Sequence, residues 1–361
     1  MEDGRVFNFA AGPSMLPLEV LRRAGAEITN YRGSGMSVME MSHRSKLFDD
    51  IFQGAKEKLR RALNVPGEYE ILLLQGGAST QFSMVPLNLM SRTGKADYAV
   101  TGNFANNAFQ EAKKYGQARE ACSSADRGHT YIPAQSELDL DPEAGYFYYC
   151  ANNTIYGTEW HYVPETGPVP LVCDMSSDIL STPVDVSRYG LIFAGAQKNM
   201  APAGLTVVII RRDLAGHELP ITPLMLSYQR MIDKDSMYNT PPCWCIYMLG
   251  LVLDWVEEQG GVTAMEANRR KKAGLLYDAI DSSRLFTAPA RADSRSYMNV
   301  TFRTGSDELD AKFVAEAAQA GFLNLKGHRL SGGMRASVYN AMPLEGAQRL
   351  ADFIRRFDKA N

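Results

Sequence analysis

Leu191-Ile-Phe-Ala-Gly-Ala-Gln-Lys-Asn-Met200 reads as a short apolar strand that breaks into small residues and delivers one lysine, Lys198, just past its end. Upstream, Pro170-Leu-Val-Cys-Asp-Met-Ser176 closes another apolar strand with a carboxylate, Asp174. Strands that are apolar throughout belong to sheets covered on both faces, as parallel α/β sheets are. Ligands of such sheets collect outside the carboxyl ends of the strands. An acid and an amine therefore fall on the edge where this kind of fold keeps its chemistry.

The surrounding sequence repeats the pattern. Apolar, β-branched runs at Glu70–Leu74, Ala96–Thr101, Tyr146–Ala151, Leu171–Cys173, Leu191–Ala194 and Leu205–Arg211 predict strands. Stretches with helical periodicity lie between and around them: 17–31, 45–63, 79–90, 106–115 and 242–259. The alternation predicts an α/β fold. Gly260-Gly261 ends the last of these helices and Val262–Ile280 reads as another, so a domain boundary is placed there. Beyond it come a strand at 297–303, a helix at 308–320, a Gly-rich loop at 326–333, a strand at 335–337 and a helix at 344–358, the pattern of a small α+β domain. A length of 361 residues suits two domains.

Composition excludes several partners. Lys plus Arg number 38 against 41 Asp plus Glu, and the two signs are interspersed, so there is no electrostatic footprint for nucleic acid or an anionic membrane. Apolar runs such as Gly204–Ile210 are strand-length, far from the roughly 20 residues of a membrane helix. The five cysteines include no C-x-x-C pair and no secretory leader precedes them, which predicts reduced thiols in a cytoplasmic protein. No histidine pair sits at ligand spacing, so no metal is expected.

Each candidate residue has a plain reading beside the chemical one. Lys198 at a strand end is either a surface lysine or an amine able to form an imine and shuttle protons. Asp174 precedes Ser176, Ser177 and Asp178, so it is either a helix N-cap or the acid that keeps a pyridinium nitrogen protonated. Ile71-Leu-Leu-Leu-Gln-Gly-Gly-Ala-Ser-Thr80 is either an ordinary strand-to-helix turn or an anion cradle, with the N–H groups of Ala78 and Ser79 opening a helix. It lacks the lysine of a nucleoside-triphosphate loop. Ser42-His-Arg44 and Gly327-His-Arg-Leu-Ser-Gly-Gly-Met-Arg335 concentrate cations in loops; they are either solvated surface charge or forks for carboxylate and phosphate.

Taken together, these segments resemble the phosphoserine aminotransferases, class-V, fold-type I pyridoxal-phosphate enzymes. The likeness runs through Phe7-Asn-Phe-Ala-Ala-Gly-Pro13, Ser37-Val-Met-Glu-Met-Ser-His-Arg44, Asp185-Val-Ser-Arg-Tyr-Gly190, Ala194-Gly-Ala-Gln-Lys-Asn199, Asn239-Thr-Pro-Pro242, Lys326-Gly-His-Arg329 and Gly332-Gly-Met-Arg-Ala-Ser337. It implies a large domain, 16–260, with a mostly parallel seven-stranded sheet flanked by helices. A smaller α+β domain would combine 1–15 with 261–361.

The resemblance also implies roles. Lys198 would hold the aldehyde of pyridoxal 5′-phosphate and carry a proton between the substrate Cα and the cofactor C4′. Asp174 would pair with the ring nitrogen, Thr154 with the phenolic oxygen and Phe104 with the ring face. Ala78, Ser79 and Gln197 would hold the phosphate, completed by Asn239 and Thr240 from the other subunit of a homodimer. Arg335 would grip the substrate α-carboxylate, and His43, Arg44, His328 and Arg329 the phosphate or side-chain carboxylate. Two positions depart from the family pattern: Phe104 stands where a tryptophan is frequent, and Ala78-Ser79 where some members have Gly-Arg.

The implied reaction moves the amino group of glutamate to 3-phosphohydroxypyruvate, giving O-phosphoserine and 2-oxoglutarate, as in serine biosynthesis. The family also serves a pyridoxine route in some bacteria. A cysteine desulfurase would need a loop cysteine, and Phe322–Met334 contains none. An alanine- or serine-glyoxylate transaminase would have no use for so many phosphate-sized cationic contacts. A non-catalytic ligand-binding protein would not need the acid and the imine-capable lysine together.

Overall fold

The computed structural model describes residues 4–361. Its centre is a seven-stranded sheet: β1 (Tyr69–Leu74), β2 (Lys95–Val100), β3 (Gln117–Ser123), β4 (Phe147–Cys150), β5 (Leu171–Asp174), β6 (Leu191–Gly195) and β7 (Thr206–Arg211). The spatial order is β1-β7-β6-β5-β4-β2-β3. Strand β7 runs antiparallel to β1 and β6, and the other pairs are parallel.

Side-chain alternation feeds two cores. Ile71, Leu73, Val207 and Ile209 face one way, against Phe48, Phe52 and Leu249 of the helices Lys46–Ala62 and Cys243–Glu258. Leu72, Leu74, Val208 and Ile210 face the other, against Phe82, Val85 and Phe109 of Gly77–Leu89 and Asn103–Ala112. Burial on both faces explains why these strands read as unbroken apolar runs.

One strand of the central sheet was not expected. Gln-Ala-Arg-Glu-Ala-Cys-Ser of β3 is half polar because it is the sheet edge, paired only to β2 and largely open on its outer side. Polar residues protect such an edge, and Arg119 there binds Asp97 at 2.9 Å. A short helix, Tyr228–Asp233, also lies outside the expected elements. The two-residue strands Phe7–Asn8, Asn152–Asn153, Thr158–Glu159 and Phe322–Leu323 were not expected either, and boundaries move: the helix expected at 17–31 spans Leu18–Glu27, and the one expected at 106–115 starts at Asn103, directly after Gly102.

A third core gathers Phe7, Phe9 and Met15 with side chains from Ala273 to Phe357. Strand Phe7–Asn8 pairs in parallel with Phe322–Leu323, and Asn299–Phe302 pairs antiparallel with Met334–Ser337. Helix Gly261–Asp281 joins the two regions, since Met265 packs in the first core while Leu276 and Ile280 pack in the third. No helix among the described residues is long and apolar enough to cross a membrane.

Candidate active site

Strands β5 and β6 are neighbours, with Asp174 opposite Phe193, so their carboxyl ends present Asp174 and Lys198 side by side. Lys198 lies in the turn after β6 and its Nζ donates to Thr154 Oγ1 at 2.7 Å. The N-terminal segment clamps this turn: Ser14 N donates to Gln197 O at 3.0 Å, and Ser14 Oγ donates to Lys198 O. Gly12 sits over the lysine stem at φ +142°, where a Cβ would lie 3.3 Å from Lys198 Cγ. Only glycine fits both that backbone conformation and that approach. On the far side Asn199 Nδ2 donates to Ile179 O at 3.0 Å, and Asn199 Oδ1 accepts from Asn340 N at 3.0 Å. The lysine is thus held from both sides while its amine is presented to Thr154.

Asp174 is buried, and one of its oxygens is committed. Oδ1 accepts from Ser176 N at 2.9 Å and Ser176 Oγ at 2.6 Å. Ser176 Oγ in turn accepts from Gly195 N at 2.9 Å, which ties β5 to β6. Oδ2 has no hydrogen-bond partner among the described residues. The cap reading and the acid reading therefore divide the carboxylate: one oxygen closes a turn, with no helix following, and the other is open. Burial pushes the Asp174 carboxyl above the usual range, while the Ser176 donors and the Lys198 charge pull it back. A cationic N–H at Oδ2 would favour the ionised form further.

The Gly76-Gly77 turn, where the sequence offers an anion cradle, follows β1. Gly76 has φ +93° and a Cβ there would lie 2.3 Å from Thr80 Oγ1, which donates back to Gly76 O at 2.7 Å. The helix Gly77–Leu89 starts without a side-chain cap, so the N–H groups of its first turn, Ala78 and Ser79 included, are free to bind an anion. Gln75 Nε2 donates to Asn239 Oδ1 at 3.3 Å and to Thr240 O at 2.9 Å within the same chain, so both residues lie beside this turn. The Phe104 ring centroid is 5.5 Å from Lys198 Nζ. Gln197 folds back over Gly195, where a Cβ would meet its Oε1 at 2.8 Å. An open carboxylate oxygen, a presented amine, a flanking aromatic ring and an uncapped helix start make a donor set that fits pyridoxal phosphate.

Arg335, on the strand Met334–Ser337 of the third core, reaches this point. Its Nη1 donates to Thr154 O at 3.2 Å, and its Nε is buried with no partner. Thr154 therefore touches Lys198 through its hydroxyl and Arg335 through its carbonyl. His328 is close enough for Arg335 and Arg329 to act on it: burial first, and then their charges, hold its imidazole below the usual range. An anion there would reverse the charge effect. The loop around it folds as a turn, with Gly327 N donating to Gly333 O at 2.8 Å and Gly332 N to His328 O at 2.8 Å. His43 and Arg44 are not brought in by the chain's own fold; neither side chain makes a hydrogen bond or ion pair with another described residue, and Arg44 is exposed.

A profile of the class-V aminotransferases matches residues 6–350. The chain is 53% identical over 353 residues to the phosphoserine aminotransferase of Laribacter hongkongensis, with 98% of each chain covered. This chain belongs to the class-V aminotransferase family. Within that family it sits with the phosphoserine aminotransferases, being also 51% identical over 355 residues to that of Pseudomonas aeruginosa, 98% of each chain. Among solved structures, phosphoserine aminotransferase from Bacillus circulans subsp. alkalophilus matches with a TM-score of 0.97 and 46% identity over 99% of both chains. The pyridoxal-phosphate-bound enzyme from Trichomonas vaginalis matches at 0.93 with 40% identity, covering 97% of this chain and 100% of that one.

The class-V aminotransferase site contains residues that the sequence did not single out. Ser176 orients Asp174, Ser14 and Asn199 hold the lysine turn, and a buried polar chain crosses between the cores. Asn152 Nδ2 donates to Asn299 Oδ1 at 2.7 Å, Asn299 Nδ2 to Tyr339 OH at 3.1 Å, and Tyr339 OH to Ala11 O at 2.8 Å. Runs of polar residues at strand ends, Asn152-Asn153-Thr154 and Ser176-Ser177, were the available signal.

Proposed function

We propose that this class-V aminotransferase transfers the amino group of L-glutamate to 3-phosphohydroxypyruvate, reversibly and by a ping-pong route, with pyridoxal 5′-phosphate as cofactor. The observation that carries the reading is the junction at Thr154, where the amine of Lys198 and the guanidinium of Arg335 meet one residue from opposite sides. A substrate carboxylate held by the Arg335 guanidinium would lie against the same residue, Thr154, that Lys198 Nζ contacts. Bound pyridoxal phosphate supplies the aldehyde and the electron-accepting ring.

The chain's own groups do the rest. Lys198 Nζ would take the proton from the substrate Cα and hold it for return. Asp174 Oδ2 keeps a positive N–H opposite it, and the Ser176 hydrogen bonds keep the carboxylate oriented. Phe104 covers one side of the site and excludes water. Free N–H groups at Ala78 and Ser79, with Gln197, bind phosphate.

His328 and Arg329 form the side-chain pocket for a phosphate or a second carboxylate, joined by His43 and Arg44. These two lie free in one chain, which supports a homodimer whose sites are shared at the interface; Asn239 and Thr240, held by Gln75 beside the Gly-Gly turn of their own chain, would have to reach the other subunit's phosphate across that interface. On this reading 16–260 acts as one unit and 1–15 with 261–361 as the other, in a cytoplasmic enzyme. Mixing the protein with glutamate alone should convert the cofactor's aldehyde absorbance to that of the amine, and adding 3-phosphohydroxypyruvate should restore it. Failure of the second step with retention of the first would refute the acceptor. Light scattering showing an active monomer would refute the shared site.

A further inference from the structure

Lys272 lies on helix Gly261–Asp281 between Met265, which packs in the first core, and Leu276, which packs in the third. It is 2% exposed. Lysine is almost never buried this far unless paired with a charge, yet burial is the whole cause of its lowered pKa, with no carboxylate contributing. Its partners are carbonyls: Nζ donates to Tyr339 O at 2.6 Å, Met342 O at 3.1 Å and Asn340 O at 3.5 Å. An ammonium has three N–H donors for these three acceptors, and a neutral amine still has two for the two shorter contacts. A methionine would fill much the same space without the cost of burying an amine, so the donors are what this position supplies.

The three carbonyls belong to one turn, closed by Met342 N donating to Tyr339 O at 3.0 Å. Two arms leave this turn and both end beside Lys198. Asn340 N donates to Asn199 Oδ1 at 3.0 Å and Asn340 Nδ2 to Leu180 O at 2.9 Å, which fixes the residue that follows Lys198. Tyr339 OH donates to Ala11 O at 2.8 Å, which fixes the segment whose next residue, Gly12, sits over the lysine stem. Arg335 is supported separately, since its strand pairs with Asn299–Phe302, Thr301 lying opposite Arg335. We propose that Lys272 is a positioning residue for amino transfer: by gathering the carbonyls of the 339–342 turn it sets both arms that hold Lys198, and so aims the Lys198 amine. That role rests on Lys198 being the lysine that holds the cofactor and carries the proton.

Lys272→Met, loaded with pyridoxal phosphate, tests this. It should keep the parent's cofactor content, lose roughly ten- to a hundredfold in kcat, as a small misplacement of a reacting group does, and hold its KM for glutamate within about twofold. The pH midpoint of the cofactor's absorbance should move by at least ~0.5 unit, because the amine that carries the cofactor is held differently. Lys272→Arg, for which the adjoining cavity of about 410 Å³ leaves room, should restore both. Lys272→Gln, shorter but with two N–H donors, should fall between and carries the test if Lys272→Met does not fold. In Asn199→Ala, where one arm is already cut, Lys272→Met should cost less than it does in the parent. A lowered kcat with an unmoved midpoint would mean only a loosened fold and would overturn the proposal, as would losses in the two variants that simply multiply. Lys198→Ala, run beside them, separates the two readings. If it keeps the parent's absorbance, the role given to Lys198 falls and this one with it; if it loses that absorbance while Lys272→Met matches the parent in kcat and midpoint, only the role of Lys272 falls.

Discussion

Ser176→Ala separates the two halves of the Asp174 carboxylate. The substitution removes the 2.6 Å hydrogen bond from Ser176 Oγ to Oδ1 and leaves the Gly195 N–H without its acceptor. It leaves the Ser176 backbone donor in place. A hydrogen bond to a charged group contributes about 1.5–3 kcal/mol, so if its loss weakens the ionised carboxylate in the working enzyme by that amount, turnover falls roughly ten- to a hundredfold. Because the Ser176 side chain lowers the Asp174 pKa, removing it raises that pKa. Under the proposed function activity requires the ionised form and is lost as pH falls through the pKa, so the acid limb of kcat against pH should move to higher pH. The orphaned Gly195 N–H costs a further ~1–3 kcal/mol of stability, visible in urea unfolding. Ser176→Thr, which keeps the hydroxyl, should recover both. A kcat within twofold of the parent and an unmoved acid limb in Ser176→Ala would show that Ser176 does not act through Asp174.

Asp174→Asn should lower kcat by at least a hundredfold, since a preorganised charge at the reacting group commonly contributes about 2.7–4 kcal/mol; a loss under threefold would reduce Asp174 to a turn-closing residue. Arg329→Ala should cost roughly ten- to a hundredfold in kcat/KM for phosphohydroxypyruvate and little for pyruvate, whereas Arg335→Ala should damage both alike; equal losses with Arg329→Ala would mean it only steers. Lys272 is buried against the carbonyls of Tyr339 and Met342 at 2.6 and 3.1 Å, and burial lowers its pKa to about 7. Between that value and the ordinary 10.5 the unfolded chain holds one more proton, so stability should rise with pH by up to about 1.4 kcal/mol per unit across that window. Urea unfolding of Lys272→Met should lack this rise, and an identical pH dependence would assign it elsewhere.

The sheet was legible because its strands are buried on both faces and so carry continuous apolar runs; β3 was not, because an edge strand with Arg119 and Glu120 has no such run. Lys198 and Asp174 could be placed at one sheet edge because each directly follows a legible strand. Their supports could not. Ser14 and Gly12 reach Lys198 from the other end of the chain, and Asn340 reaches Asn199 across 141 positions, contacts that no local pattern encodes. The sequence offers Asp174 as a cap, and its Oδ1 does close the turn by accepting from Ser176 N; that Ser176 Oγ spans from Asp174 to β6 depends on strand order. His43 and Arg44 stand out in the sequence as a cationic loop, their ligand is implied by the family likeness alone, and the fold of a single chain leaves both side chains without partners among the described residues.

Reduction of the pyridoxal-phosphate-loaded protein with borohydride, followed by peptide mapping, tests the central assignment most directly. The competing amine is Lys272, buried and with its pKa lowered to about 7. The account predicts one phosphopyridoxyl group per chain, on the peptide containing Lys198, and none in Lys198→Ala. A label on Lys272 or on any other lysine of the native protein, with Lys198 unmodified, would contradict it.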